Sequence, residues 1–84
     1  MYRVIPDSTV LAQIDALPAS VLPLIAEVFC VLELAPHTGR PYNEDLPDGP
    51  MRELIFGPNS EAAVTYLIVE HSREVHILVV QWLG

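Results

Sequence analysis

The stretch MRELIFGPNSEAAVTYLIVEHSREVHILVVQW, residues 51–82, decides the fold. Its apolar runs are broken by a Gly-Pro-Asn-Ser cluster and a Glu-His-Ser-Arg-Glu cluster. Turn residues between β-branched and aromatic runs mark strands joined by short connections. The reading is three strands, at about residues 51–56, 63–70 and 74–82, in an antiparallel meander. Alternation puts Val64, Tyr66 and Ile68 on one side of the middle strand and Ala63, Thr65, Leu67 and Val69 on the other. In the last strand Val75, Ile77 and Val79 oppose His76, Leu78, Val80 and Trp82. Both faces are apolar, and two helices in a single layer can cover only one of them.

Upstream, residues 2–5 read as a short strand stopped at Pro6, because proline has no amide proton for a ladder. Asp7 or Ser8 can cap a helix whose Val10, Leu11, Ile14 and Leu17 share a face, and Pro18 ends it. A second helix runs from a cap at Ser20 to about Leu34, with Pro23 in its first turn, where a missing donor costs little. Val21, Leu24, Ile25, Val28 and Leu32 form its core face. Leu22, Ala26, Phe29, Cys30 and Val31 cover much of the remainder, so either the helix is buried on two sides or something else covers it. Cys30, set among apolar residues, reads as an inert core thiol. Residues 35–50 hold four of the eight prolines together with Glu44, Asp45 and Asp48, and read as a stiff, solvated connecting loop. The expected fold is α+β in the order β-α-α-β-β-β, a helical hairpin on one face of a mainly antiparallel four-stranded sheet. Strand order stays open, since the long loop can return the chain in either direction.

At 84 residues and 51% hydrophobic content, the expectation is one domain with ample apolar surface for a core. One cysteine excludes an internal disulfide framework and fits a reducing, cytoplasmic setting. The opening MYRVIPDS has no basic region followed by an apolar stretch, and no apolar run approaches roughly 18 residues, so neither export nor membrane spanning is expected. Eleven acidic residues stand against Arg3, Arg40, Arg52 and Arg73, with no lysine and a net charge of −7. Phosphate neutralisation needs Lys and Arg, so nonspecific nucleic-acid binding is poorly supplied. A basic partner is favoured electrostatically, although such a charge also serves simply to keep a small apolar protein soluble.

The element order, together with Tyr2-Arg3-Val4-Ile5, Leu17-Pro18, Gly49-Pro50, Met51-Arg52-Glu53-Leu54-Ile55-Phe56-Gly57, Val64-Thr65-Tyr66 and Val75-His76-Ile77-Leu78-Val79-Val80-Gln81-Trp82, resembles the RelE/ParE superfamily of type II toxin-antitoxin toxins. The resemblance spans nearly the whole chain, and it is the ordered set rather than any single motif that carries it. It implies a single toxin domain over residues 1–84 and a cognate antitoxin as partner. It also implies one of two actions: inhibition of translation through ribosome-dependent mRNA cleavage, or poisoning of DNA gyrase by binding. An antitoxin accounts for the second apolar face, with Leu22, Phe29, Val64, Tyr66, Ile68 and Trp82 as candidate partner-binding residues. Relatives of this kind are usually basic, and this chain departs from them in charge.

Cleaving RNA through the neighbouring 2′-hydroxyl needs a base, an acid and cations for the developing phosphorane charge. The resemblance places an arginine of the nuclease branch where Ala62 or Ala63 stands here, and further catalytic groups after the last strand. The sequence stops two residues beyond Trp82, so a nuclease site of that type is expected to lack its usual basic residues. The remaining catalytic candidates are Arg52, as a phosphate contact, and His71 and His76, as acid or base near neutral pH. Metal binding by these histidines with His37 would need a ligand from a distant loop, so neither metal nor cofactor is expected. The alternative from another class is a non-catalytic interaction module: a gyrase-poison-like binder, a decayed toxin, or a homodimer that pairs its apolar faces.

Overall fold

The computed structural model describes residues 1–46 and 48–83. The chain forms β1 (Arg3–Pro6), α1 (Ser8–Asp15), α2 (Leu22–Leu34), β2 (Arg40–Pro41), β3 (Met51–Phe56), β4 (Ala62–Val69) and β5 (Glu74–Trp82). Two helices pack on one face of a five-stranded mixed sheet with the order β1-β5-β4-β3-β2. The meander β3-β4-β5 is antiparallel, and β1 joins its far side parallel to β5, with Val4 beside Val75.

The fifth strand is the difference from the expected sheet. β2 is two residues long, lies within the Pro/Gly loop, and pairs Arg40 with Glu53 and Pro41 with Arg52. Proline is tolerated there because β2 is an edge strand. At the other end of the chain, Asp7 caps α1 by accepting the Val10 amide at 2.8 Å. Ser20 makes no cap. It lies in a 3₁₀ turn, Ala19–Val21, that leads into α2, and Pro23 sits in the first turn of that helix.

The core is assembled from Val10 of α1, Val21 before α2, Ile25, Val28 and Leu32 of α2, and Val64, Tyr66, Ile68, Val75, Ile77 and Val80 of the sheet. Each fully buried aliphatic side chain here contributes about 1.5–3 kcal/mol relative to exposure. Val79 was expected beside Ile77 on one face, but a β-bulge changes the alternation. Thr65 pairs with Val79 and Tyr66 with Ile77, so Leu78 is an extra residue on β5. Beyond it Val80 turns into the core and Trp82 packs against the core edge, while Leu78 is exposed.

Candidate functional site

Three places in the fold carry candidate function: the outer surface of α2, the uncovered face of the sheet, and the titratable side chains at the ends of the strands. On α2, Ile25, Val28 and Leu32 are turned inward and buried. That orientation leaves Leu22, Val31 and Leu34 exposed at 44%, 39% and 71%. Cys30 is exposed among them, contrary to its expected place in the core. Leu11 of α1, expected on the core face, is also exposed. Phe29 is partly buried against the core, so Leu22 is the more accessible of the two helical candidates.

The register defines the uncovered face. Thr65 lies between Glu53 and Val79, Leu67 between Met51 and His76, and Ala63 between Ile55 and Gln81. At its middle Ala63 and Thr65 are themselves only 9% and 7% exposed, and Ile55 and Leu78 are its exposed large residues. Its margins are charged, with Arg40 donating to Glu53 through Nη2 at 2.6 Å and Arg3 paired to Glu74. Val64, Tyr66 and Ile68 need correction as partner-binding residues. They lie on the opposite, helix-covered side and are buried at 1%, 0% and 4%. Trp82 is partly buried at the edge of the same core.

The three catalytic candidates are not brought together. Arg52 is beside Tyr66 in the register and Tyr66 is beside Ile77, so Arg52 belongs to the core side, whereas His76 belongs to the uncovered side. Arg52 Nη1 donates to the Gly39 carbonyl at 3.0 Å. Next to it, the Tyr66 hydroxyl donates to the Pro36 carbonyl at 2.5 Å and accepts the Gly39 amide at 3.1 Å. Burial raises the pKa of this phenol above its ordinary value. Arg52 and Tyr66 together fasten residues 36–39 to the sheet. No side chain fits at Gly39, because a Cβ there would stand 2.1 Å from the Tyr66 hydroxyl oxygen.

His76 Nε2 lies 3.2 Å from Glu74 Oε1. The Glu74 carboxyl is lowered to about 2, first by its hydrogen bond from Arg3 and then by those from His76 and Ser72. His71 is exposed in the 3₁₀ turn Glu70–Ser72 between β4 and β5. Beside it is a cluster that sequence reasoning did not single out. Glu70 accepts the Tyr2 hydroxyl at 2.7 Å and lies 2.7 Å from His37 Nε2. Arg73, in a left-handed conformation, places its guanidinium carbon 5.7 Å from the centre of the Tyr2 ring. The Tyr2 hydrogen bond, followed by the His37 contact, holds the Glu70 carboxyl below its usual range. Its members come from residues 2, 37, 70 and 73, and no sequence spacing links them. Among the described residues, no group of three or more His, Cys, Asp or Glu is placed to hold a metal.

Comparison with solved structures gives this arrangement a context. The isolated RelE toxin of E. coli has a TM-score of 0.79 at 12% identity, over 100% of this chain and 86% of that one. The RelBE2 toxin-antitoxin complex of Mycobacterium tuberculosis contains a chain with a TM-score of 0.79 at 23% identity, over 96% of each chain. The archaeal RelE-RelB complex of Pyrococcus horikoshii OT3 gives 0.67 at 18% identity, over 99% of this chain and 96% of that one. The fold is RelE-like. No protein-family model and no curated protein matches the sequence.

Proposed function

We propose that this chain is the single-domain toxin component of a bacterial type II toxin-antitoxin pair, acting in the cytoplasm and neutralised when an antitoxin covers its exposed apolar surface. The observation that carries the reading is the outer face of α2 on a RelE-like fold. Leu22, Ala26, Cys30 and Leu34, all exposed and spaced by four residues, form one stripe along the helix, and Val31 flanks it three residues before Leu34. A contiguous apolar surface on a small protein is an interaction site more often than an accident of composition. Complexes of a toxin with an antitoxin are among the similar structures, which supports this kind of partner.

The toxic action is inhibition of translation or of another core process by binding. Its target would be the ribosome with its mRNA, or gyrase. Cleavage of mRNA is the less supported action. Arg52 is engaged with the Gly39 carbonyl, His76 with Glu74, and the net charge of −7 opposes phosphate binding. The same observation favours, as a second reading, a non-catalytic interaction module that binds its partner or a second copy without harming the cell.

Primer extension on abundant mRNAs, before and minutes after induction of this chain alone, separates these readings when viable counts are taken from the same cultures. Arrest with intact mRNA supports a binding toxin. New cleavage ends with arrest would return attention to Arg52, His71 and His76. Normal growth with intact mRNA would favour the interaction module.

A further inference from the structure

We propose that the cleft between the connecting loop and the start of β3 docks a cationic segment of another polypeptide, one that carries arginine or lysine beside an aliphatic or aromatic side chain. The cleft encloses about 610 Å³ and is walled by Tyr42, Leu46, Pro50 and Met51, with Glu44 and Asp45 at its rim. Tyr42 and Leu46 are exposed at 57% and 60%, a large apolar area left open in a loop otherwise rich in acids.

Backbone hydrogen bonds brace the walls. The Tyr42 amide donates to the Met51 carbonyl at 3.0 Å, Leu46 to Asn43 at 2.9 Å, and Ile68 to Pro50 at 2.8 Å. A site held in its bound shape loses less conformational freedom on docking. Arg3 is paired with Glu74 at the opposite, β1 edge of the sheet, and Arg40, two residues before Tyr42, is already paired with Glu53. Glu44, Asp45 and Asp48 add three negative charges around the loop. An arginine or lysine combines an aliphatic stem, which packs on an apolar wall, with a charged head that reaches carboxylates at the rim. A nucleic acid or an anionic membrane carries the wrong charge for this surface.

The cleft is at the β2 edge of the sheet, whereas the C-terminal end of α2 lies against the opposite edge, where the Tyr2 amide donates to the Glu33 carbonyl. No residue of α2 lines it, and the proposal stands whether or not the chain is toxic.

The test titrates the full ¹⁵N-labelled chain with a short peptide alternating arginine and leucine, and separately with one alternating arginine and glycine. The expected result is amide shifts concentrated at residues 42–51, with the arginine-leucine peptide binding the tighter. Affinity should fall by about tenfold or more in the paired variant Glu44→Gln, Asp45→Asn. It should fall again as salt is raised from about 20 to 300 mM. Both substitutions are at exposed side chains, so an unchanged dispersion of the spectrum verifies the fold. Equal binding of the two peptides would reduce the effect to general charge attraction and overturn the proposal. So would shifts centred on α2 or on the uncovered face of the sheet.

Discussion

Arg52 reaches across from β3 to donate to the carbonyl of Gly39 at 3.0 Å, tying the start of β2 to the underside of the sheet. A residue that looks like a phosphate contact in the sequence thus holds the chain that precedes β2. Arg52→Ala should lower stability by about 1–3 kcal/mol, because a partly buried carbonyl loses its donor. Urea unfolding monitored by circular dichroism measures the change. A variant as stable as the parent, with its biological effect abolished, would instead mark Arg52 as part of a functional site.

Tyr66 supplies the second tie. Tyr66→Phe keeps the ring in the core but removes the donor to Pro36 and the acceptor for Gly39. The expected cost is again about 1–3 kcal/mol, since two buried backbone groups lose their partner. Gly39→Ala should be worse tolerated. Its methyl carbon meets both the Tyr66 hydroxyl and, at 2.9 Å, the Glu53 carbonyl, and the latter cannot move without disturbing the sheet. Thermal melts of the two variants side by side would show the order.

Glu74 makes stability depend on acid. Its folded carboxyl is lowered from 4.5 to about 2 by Arg3, His76 and Ser72. A depressed carboxylate stabilises the fold above its unfolded pKa, and that contribution disappears as pH falls through the folded value. The parent should therefore exceed Glu74→Gln in stability above pH 4.5, with the gap closing towards pH 2. Because the side chains of Arg3 and His76 are substantially exposed, added salt should narrow the gap as well. Urea midpoints across this range, at low and high salt, test both statements.

The outer face of α2 should tolerate charge in the free chain. Leu22→Glu or Val31→Glu is expected to change stability by no more than about 0.5 kcal/mol, the usual range for surface substitutions. Both should weaken the antitoxin complex. Cys30 offers an independent reading of the same face. A maleimide should label it in the native chain, and a bound partner should protect it. Resistance to labelling until the chain unfolds would return this thiol to the core.

Much of this architecture was legible in residues 51–82. The ranges of β3 and β5 follow from turn clusters that bracket β-branched runs, and Val64, Tyr66 and Ile68 fall on one face as the period of two requires. The bulge was not legible. Leu78, Val79 and Val80 are consecutive aliphatics with no polar contrast, so nothing in the text marks where an extra residue enters. On α2 the inward face was legible, with Val21, Ile25, Val28 and Leu32 buried as expected, but the apolar remainder lacked the contrast to set Cys30 outside, and on α1 Leu11 was likewise assigned to the core.

The candidate site was less legible for a related reason. Apolar strands announce that surface must be covered without saying which face the helices take. Val64, Tyr66 and Ile68 were assigned to a partner and belong to the core. The Tyr2, His37, Glu70 and Arg73 cluster depends on β1 pairing with β5, a long-range contact between chain segments that no local pattern predicts.

The most direct test of the toxin reading is viable counting after induction of this chain in bacterial cells, with and without coexpression of a candidate antitoxin. A chain of this kind should arrest growth alone, with growth restored by the partner and lost again when Leu22→Glu and Val31→Glu weaken the complex. Undiminished growth, with the folded chain accumulating to high level in the absence of any partner, would contradict it.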